Sequence, residues 1–298
     1  MNVIVVGGAG FIGSHLVDRL IADGAAVDVV DDLSQGSLAN LSEARSMGGS
    51  LKIHHLDAGS DEFASLIGMR SPDVLYHLAG IPRPAPTSGS LADSFRLTMS
   101  VVEAARLHRV GKVVVALPAS ALYGRPASRD LPLKERELEP RGVRGVIARS
   151  TVDVLAAYRE HEALEFTALA LATVYGPRQR PDGGVVAAFR QAAQERRSPT
   201  VTGDGRQTRD FLFIDDAVDA LAKAGTRGSG LVVNIGTGEQ TSINVLWDAV
   251  AGPGAPEPDY VNAPPTEIAR FAVSPVRARI HLSWSPWTSL VDGLALTR

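Results

Sequence analysis

Glycines and an acid near the start of the chain have the types and spacing that hold a dinucleotide. Gly7, Gly10 and Gly13 recur every third residue, and Asp31 follows further along the chain. Closely spaced glycines let the backbone approach a pyrophosphate, and a helix N-terminus behind them offers free N–H groups and partial positive charge. A carboxylate about 20 residues later accepts a hydrogen bond from an adenosine ribose. No arginine neighbours Asp31 in the sequence to meet the extra phosphate of NADP, so the pattern predicts NAD.

The segments around these residues have the pattern that such a site requires. Residues 3–6 are apolar and mostly β-branched, as in a strand buried on both faces. Apolar residues then recur at helical spacing from Phe11 to Leu20, and Gly24 stands where that helix should stop. A second apolar run ends at Asp31. An ordinary glycine turn in a βαβ unit is the alternative, and the combination of strand, helix, strand and terminal acid favours the cofactor site.

The composition argues against several classes of protein. The chain has 298 residues, of which 45% are hydrophobic and 21% charged, as is ordinary for a globular protein. Its net charge of -3, without a block of like charges, predicts no nucleic acid or membrane partner. The absence of cysteine excludes disulfides, thiolate catalysis and Cys-ligated metals. The 7 histidines show no metal-ligand spacing and no stretch has the length of a membrane span, so we expect no metal site and a cytoplasmic location.

Apolar strands alternate with helical patterns along much of the chain. Further strands are predicted at 51–55, 73–78, 112–117, 166–172 and 231–234, and helices at 60–67, 92–107, 143–161, 183–196, 215–223 and from 241 to about 251. Such alternation predicts an α/β fold with a doubly wound parallel sheet. The segments at 82–89, 125–142 and 252–265 are rich in proline, glycine or polar residues and are predicted to be irregular.

Further motifs follow in order along the chain. They are Gly7-Gly-Ala-Gly-Phe-Ile-Gly-Ser-His15, Asp31-Asp-Leu-Ser34, His77-Leu-Ala79, Tyr123-Gly124, Val174-Tyr-Gly-Pro-Arg-Gln179, Gly203-Asp-Gly-Arg-Gln-Thr-Arg-Asp-Phe211, Asp215-Asp216 and Asn234-Ile-Gly-Thr-Gly238. With them the chain resembles the extended short-chain dehydrogenase/reductase family, in its nucleotide-sugar epimerase and dehydratase branch. The resemblance implies a Rossmann-type NAD-binding domain at 1–172 with about 206–236, and a smaller C-terminal α/β lobe for a nucleotide-sugar at 173–205 and 237–298. It also implies a homodimer that pairs through the helices at 92–107 and 143–161.

The same resemblance implies roles for two sets of residues. Cofactor contacts are implied for Gly7, Gly10, Phe11, Ile12, Gly13, Asp31, Asp32, Leu33, Ser34, Asp57, Ala58, Leu78, Ala79, Gly80 and Thr98. Nucleotide-sugar contacts are implied for Thr173, Arg178, Val201, Gln207 and Arg209. A guanidinium can form paired hydrogen bonds with a diphosphate, which suits Arg209, whereas the alternative is a surface arginine paired with Asp210.

The residues that carry the family's redox chemistry are missing. In the family a tyrosine takes a proton from a sugar hydroxyl, a lysine four residues later lowers the pKa of that tyrosine, and a serine or threonine binds the same hydroxyl. Flanking residues put Arg144, Ala148 and Ala119 in these three positions. Arginine has no lone pair with which to accept a proton, but it can stabilise an oxyanion or bind phosphate or carboxylate.

Two classes of function therefore remain open. The first is an NAD-dependent enzyme acting on a nucleotide-sugar, most like a 4-epimerase, with Ser120, Tyr123 and Arg144 as candidate catalytic residues. A 4,6-dehydratase is less favoured, because residues 119–121 contain no acid to expel water. The second class is a protein that binds NAD or a nucleotide-sugar without converting it. The ordinary roles of Ser120 and Tyr123 would be a turn hydroxyl and a packed aromatic side chain.

Overall fold

A parallel sheet of seven strands lies at the centre of the computed structural model, which describes residues 1–79, 88–135, 139–140 and 142–297. The strands, in chain order, are β1 (Asn2–Val6), β2 (Ala26–Asp31), β3 (Leu51–His55), β4 (Val74–His77), β5 (Lys112–Pro118), β6 (Phe166–Leu171), β7 (Thr173–Tyr175), β8 (Thr200–Thr202), β9 (Thr208–Arg209), β10 (Phe211–Phe213), β11 (Leu231–Ile235), β12 (Thr241–Ser242) and β13 (Asp259–Val261). The sheet order is β3-β2-β1-β4-β5-β6-β11, with every neighbouring pair parallel. The remaining strands pair as β7 with β10, β8 with β13 and β9 with β12.

Helices cover the sheet and continue beyond it. They are α1 (Phe11–Ala22), α2 (Ser42–Ser46), α3 (Asp61–Arg70), α4 (Ser88–Leu107), α5 (Ala119–Tyr123), α6 (Gly142–Glu162), α7 (Val185–Gln194), α8 (Ile214–Ala224), α9 (Ile243–Ala251), α10 (Val276–Leu282) and α11 (Leu290–Leu296), with short 3-10 turns at Leu38–Leu41, Ser128–Asp130 and Pro181–Gly183. Among the described residues, no helix is both long enough and apolar enough to cross a membrane.

Side-chain alternation along the strands explains why both faces of the sheet are covered. Val3 and Val5 of β1 belong to one apolar cluster, together with residues of α1 and α8. Ile4 and Val6 belong to a second cluster, together with residues of α3, α4 and α6. Successive strand residues point to opposite faces, so a continuous apolar strand requires helices on both sides. The predicted doubly wound Rossmann-type sheet is confirmed.

The strand order places a crevice at the carboxyl end of β1. Strands run outwards from β1 in both directions, through β2 on one side and β4 on the other. Because the connections after β1 and β4 leave towards different sides, a gap opens between them, and ligands of such sheets bind there. The loop after β1 is the glycine motif.

The C-terminal segment is held to α8 by one buried carboxylate. Asp216 accepts hydrogen bonds from the backbone N of Thr288 at 3.1 Å and of Trp287 at 3.4 Å. The indole Nε1 of Trp284 donates to the backbone O of Asp216 at 2.9 Å, and this ring is buried. These contacts fix the chain between α10 and α11. The division of the chain into the two predicted units stays a prediction.

Several predicted elements differ from the structure in ways that have local causes. Residues 241–242 were expected to open a helix, but they form β12, and the hydroxyl of Ser242 caps α9 by accepting from the N of Val245 at 3.2 Å. The helix expected at 183–196 is shorter, because Gly184 has a φ of 153° and Arg196 a φ of 52°. The expected irregular stretch at 252–265 contains β13. The expected loop at 82–89 lies mostly outside the described residues, and α4 already begins at Ser88.

Candidate active site

The loop between β1 and α1 forms one wall of a cleft. Gly7 has a φ of 79°, and a Cβ atom there would lie 2.7 Å from the backbone N of Ala79. A Cβ atom on Gly13 would overlap the carbonyl oxygen of Gly7, so this glycine lets α1 pack against β1. A Cβ atom on Gly10 would make one tight contact, with the carbonyl oxygen of Gly7 at 3.2 Å. The loop therefore leaves room for a pyrophosphate in front of the N-terminus of α1, as the cofactor requires.

Asp31 ends β2 on the opposite side of this loop. Its Oδ2 accepts from the N of Ala9 at 2.8 Å and its Oδ1 from the N of Leu33 at 2.9 Å. Burial raises the pKa of Asp31, and the two backbone hydrogen bonds oppose this rise. Each carboxylate oxygen has a further lone pair, so both can still accept hydrogen bonds from ribose hydroxyls.

These residues line a cleft of about 550 Å³, called here the glycine cleft. From the predicted cofactor set it contains Gly7, Gly10, Asp31, Asp32, Ser34, Asp57, Ala58, Leu78 and Ala79. Gly13 and Leu33 stand behind this lining and support it through packing and a hydrogen bond. Gly80 lies outside the described residues. The geometry thus groups most of the predicted cofactor residues around one space of suitable size.

One arginine of the glycine cleft was not predicted. Arg96 of α4 lines it, with Nη1 donating to the carbonyl oxygen of Gly59 at 3.3 Å and Nη2 3.6 Å from Oδ2 of Asp57. No arginine neighbours Asp31 in the sequence, but the folded chain brings Arg96 to the cleft that Asp31 lines. No local pattern links residues 57 and 96, because their contact depends on how α4 packs beside α3.

A second cleft of about 490 Å³ adjoins the first at Leu78, which lines both. It lies beyond the carboxyl ends of β5 and β6 and is closed by α7, β8 and β9; we call it the arginine cleft. From the predicted site residues it contains Phe11, Ile12, Ser120, Arg144, Thr173, Val201, Gln207 and Arg209. Residues that were assigned to a cofactor and to a second ligand therefore meet in continuous space.

The guanidinium of Arg209 is held in the arginine cleft by the segment before α10. Its Nη1 donates to the carbonyl oxygen of Ile268 at 2.7 Å, and its Nη2 forms an ion pair with Glu267. The alternative pairing with Asp210 does not occur. Asp210 is buried, and its carboxylate accepts from the backbone N of Thr237 at 2.9 Å and of Val273 at 3.1 Å. Burial raises the pKa of Asp210 against the effect of these hydrogen bonds.

The structure does not place Arg178 at the predicted ligand site. Its Nη1 donates to Oδ2 of Asp18 at 2.6 Å and its Nη2 to Oε2 of Glu43 at 2.8 Å, and it does not line the arginine cleft. Beside it, the ring Nε2 of His15 donates to the carbonyl oxygen of Pro177 at 3.1 Å. Burial lowers the pKa of His15, although this hydrogen bond opposes the change. Arg178 therefore joins the segment after β7 to α1 and α2.

Of the three replaced catalytic positions, Arg144 lines the arginine cleft, and Ala119 and Ala148 do not. Ala119 and Ala148 are fully buried and offer no polar side-chain atom. Ser120 is exposed and Arg144 half-buried, and both line the cleft. A Cβ atom on Gly145 would lie 2.7 Å from the carbonyl oxygen of the residue after Ser120, so α6 packs tightly on α5 and fixes the origin of the Arg144 side chain.

Tyr123, one of the candidate catalytic residues, lies in the protein interior. The side chain is fully buried, and its hydroxyl donates to Oδ1 of Asn234 at 2.8 Å. It does not line the arginine cleft. The Nδ2 of Asn234 donates in turn to the carbonyl oxygen of Leu133 at 2.9 Å. The phenol therefore joins α5 to β11, and its ordinary role as a packed aromatic side chain is the one the structure supports.

Thr98, for which a cofactor contact was predicted, is not among the residues that line the glycine cleft. Its hydroxyl donates to the carbonyl oxygen of Ser94 at 3.0 Å, so it accepts from Nε2–H of His77 at 3.1 Å. Both side chains are buried, and Thr98 is absent from the lining of the glycine cleft. Burial lowers the pKa of His77 to about 4, so the ring is neutral near pH 7.

Among the described residues no group of three or more metal-binding side chains occurs.

Comparison with known proteins adds to this geometry. The sequence profile of the NAD dependent epimerase/dehydratase family matches residues 3–236. The chain belongs to this family. NAD is the cofactor of this family, and the predicted family resemblance is confirmed.

The relatives of this chain include named proteins and proteins with solved structures. A UDP-glucose 4-epimerase from Mycolicibacterium smegmatis is 38% identical, with 100% of this chain and 97% of the relative covered. The structure of a UDP-glucose 4-epimerase from Thermotoga maritima with UDP-glucose is 31% identical, covers 100% and 97% of the two chains and superposes with a TM-score of 0.93. A UDP-glucose 4-epimerase from Thermus thermophilus in complex with NAD is 27% identical over 100% and 97%, with a TM-score of 0.87.

Proposed function

We propose that the protein binds NAD in the glycine cleft and a nucleotide-sugar in the arginine cleft, and that it epimerises the sugar at C4 by transient oxidation. The observation that carries this proposal is the junction of the two clefts at Leu78. The junction lets a sugar in one cleft approach the reactive end of a dinucleotide in the other. When bound there, NAD would supply a reversible two-electron oxidation of a sugar carbon.

The chain's own residues suit the two diphosphates. The part of the glycine cleft that Gly10 lines and the N–H groups at the start of α1 would receive the cofactor pyrophosphate, and Asp31 its ribose. In the arginine cleft, Arg209 would bind the diphosphate of the nucleotide-sugar. Glu267 and the carbonyl oxygen of Ile268 orient its guanidinium before the ligand arrives. Thermotoga maritima UDP-glucose 4-epimerase, which is similar over its whole length, has a structure with UDP-glucose.

The proton of the reacting hydroxyl needs an acceptor other than a tyrosine. Ser120 would hydrogen-bond the sugar hydroxyl from the end of α5, and Arg144, which stays charged, would stabilise the developing alkoxide. Neither side chain holds the proton, so it would pass to water in the cleft. A positioned general base accelerates such a step by about 100- to 10,000-fold. We therefore expect slow turnover.

Binding without conversion is the second candidate, and specific observations favour it. Ala119 and Ala148 are buried, and the phenol of Tyr123 is engaged with Asn234 away from the cleft. A protein that still binds both ligands but no longer catalyses the reaction would have the same features in the two clefts. The structural argument for turnover rests on Ser120 and Arg144, which face the sugar site.

NMR with deuterated water separates the candidates. The purified protein, NAD and each of a panel of UDP-, dTDP- and GDP-sugars are incubated together. Appearance of the C4 epimer without deuterium uptake supports epimerisation by transient oxidation. Deuterium in a 4-keto-6-deoxy product would indicate a dehydratase. Saturable binding with no new signal supports the binding protein, and no binding of any sugar nucleotide contradicts both candidates.

We also propose that the active form is a two-fold homodimer in the cytoplasm. Helices α4 and α6 pack side by side, and Leu107, Val143 and Val146 expose apolar side chains on them. Pairing of these helices with a second copy would cover such side chains in a four-helix bundle. Light scattering at micromolar concentration should give twice the chain mass of 31.4 kDa, and a monomeric mass would contradict the dimer.

A further inference from the structure

Arg96 connects α4 to the loop that follows β3, beside the glycine cleft. Its Nη1 donates to the carbonyl oxygen of Gly59 at 3.3 Å, and its Nη2 lies 3.6 Å from Oδ2 of Asp57. The carboxylate of Asp57 is itself held in place, because Oδ1 accepts from the backbone N of Gly59 at 2.8 Å. Both Arg96 and Asp57 line the cleft. The guanidinium is therefore part of the wall that a ligand in this cleft would meet.

Gly59 provides the room that this position of Arg96 requires. A Cβ atom on Gly59 would overlap Nη1 of Arg96 and would lie 3.0 Å from its Cζ and 3.1 Å from its Nη2. Gly59 is not among the glycines with a positive φ, so its backbone conformation does not call for glycine. The guanidinium that lies against it is the reason that the structure gives for a glycine at this position.

The ion pair of Arg96 adds little to the stability of the fold. The side chains of Arg96 and Asp57 are 54% and 53% exposed, and water and salt screen ion pairs in such positions. A glycine also loses more conformational freedom on folding than any other residue. A ligand that contacts the guanidinium would explain why the chain has this arrangement.

The neighbours of Arg96 in the glycine cleft suit a flat aromatic ring. Leu56, Ala58 and Leu97 line the same cleft and belong to, or pack against, the second apolar cluster of the sheet. Nη1 and Nη2 of Arg96 are directed at the loop after β3, so the flat face of the guanidinium remains for a ligand. Aromatic rings are attracted to such a face by cation–π and stacking interactions.

The loop after β3 begins directly beside Asp31, because the backbone N of Leu56 donates to the carbonyl oxygen of Asp31 at 3.1 Å. A base attached to the ribose that Asp31 would hold can therefore reach Arg96. We propose that the guanidinium of Arg96 stacks on the adenine ring of NAD. This proposal rests on the proposed binding of NAD in the glycine cleft. Arg96 is then a cofactor-binding residue that recognises the base, whereas Asp31 recognises the ribose.

Calorimetry with NAD and ADP-ribose measures the contribution of Arg96. R96Q removes the cation at a half-exposed position, so we expect an unchanged melting temperature. The Kd values of both ligands should rise by about 5- to 30-fold, on the scale of cation–π contacts that lose water. R129Q, at a side chain that is 89% exposed and lines neither cleft, is the matched control and should leave both Kd values unchanged.

NMR distinguishes stacking from other contacts of the same side chain. The Nε–H signal of Arg96 is assigned by its absence from the spectrum of R96Q. Addition of ADP-ribose to the wild-type protein should move this proton signal upfield, because a proton over the face of an aromatic ring is shielded. A downfield shift, or no shift, would overturn the stacking arrangement even if R96Q weakens binding.

G59A displaces the guanidinium without removing it. We expect G59A to raise the Kd of ADP-ribose, and the double variant G59A/R96Q to bind no more weakly than R96Q, because both changes act on one contact. Additive losses would contradict the role of Gly59. Kd values of R96Q within twofold of wild type would overturn the role of Arg96 and leave the NAD site standing. Failure of the wild-type protein to bind NAD and ADP-ribose would overturn the NAD site itself.

Discussion

Replacing Gly10 by valine should weaken NAD binding by about 100-fold or more and leave the fold intact. Gly10 has a φ of -77° and a ψ of -178°, an extended backbone that any residue adopts. Among the described residues, the one atom within 4 Å of a Cβ built there is the carbonyl oxygen of Gly7, at 3.2 Å. The methyl groups of valine would therefore enter the glycine cleft, where the pyrophosphate must approach the N-terminus of α1.

The expected magnitudes differ between the free protein and the complex. In the free protein, a poor residue at the N-cap of a helix costs about 0.5 to 2 kcal/mol. In the complex, displaced phosphates would lose two charge-assisted hydrogen bonds of about 1.5 to 3 kcal/mol each. The sum, about 3 to 6 kcal/mol, raises the Kd of NAD by about 100- to 10,000-fold.

Gly13→Ala provides the contrasting control. Its Cβ atom would overlap the carbonyl oxygen of Gly7, so the backbone must shift, at a cost typical of overpacking of about 1 to 3 kcal/mol. Calorimetry with NAD and ADP-ribose measures binding, and circular dichroism on heating measures stability. Affinity of G10V within threefold of wild type would refute the placement of the pyrophosphate. A melting temperature of G10V clearly below that of G13A would refute the smaller steric cost assigned to Gly10.

Three further predictions concern single residues. Because Asp31 occupies the ribose position, NAD should bind more tightly than NADP, and calorimetry showing equal or tighter NADP binding would contradict this. Tyr123→Phe should lower the free energy of unfolding by about 1 to 3 kcal/mol, because the buried Oδ1 of Asn234 loses its donor; a tenfold fall in turnover without a change in urea midpoint would instead restore a catalytic role. The folded pKa of His77 is lowered from 6.5 to about 4, so the unfolded chain binds this proton more readily, and stability present above pH 6.5 is lost as pH falls towards 4, by about 3 kcal/mol in all. Urea titrations across this range should show a smaller loss for His77→Gln, and an identical pH dependence would contradict the assignment.

The parts of the site that follow from local sequence were predictable. The glycines, α1 and Asp31 lie in one continuous segment, and each has a conformational reason for its residue type. A contiguous pattern of this kind determines its own geometry, because the turn, the helix start and the strand end are neighbours in the chain. The parallel sheet was predictable for a similar reason, since apolar runs alternate with helical spacing.

The predicted positions of side chains that differ from the structure depend on partners distant in the chain. Whether Arg178 reaches a ligand is decided by Asp18 and Glu43, which attract its guanidinium to α1 and α2. The direction of Tyr123 is decided by Asn234 on β11. No local pattern announces these contacts. Strand β13 escaped prediction for another reason, because its three residues are all exposed and show no alternation between buried and exposed positions.

Through the contacts of Arg178, α1 is connected to the segment after β7 as well as to the glycine loop. The N-terminus of α1 faces the pyrophosphate space at Gly10. Its Asp18 and His15 contact the segment that follows β7, and the first residue of β7, Thr173, lines the arginine cleft. A small displacement of α1 when a ligand fills one cleft would therefore shift residues that line the other cleft. Thermodynamic linkage then makes the effect mutual, so that each ligand changes the affinity for its companion by the same factor. In the proposed complex, retention of the cofactor between turnovers would then depend on the sugar site as much as on the glycine loop.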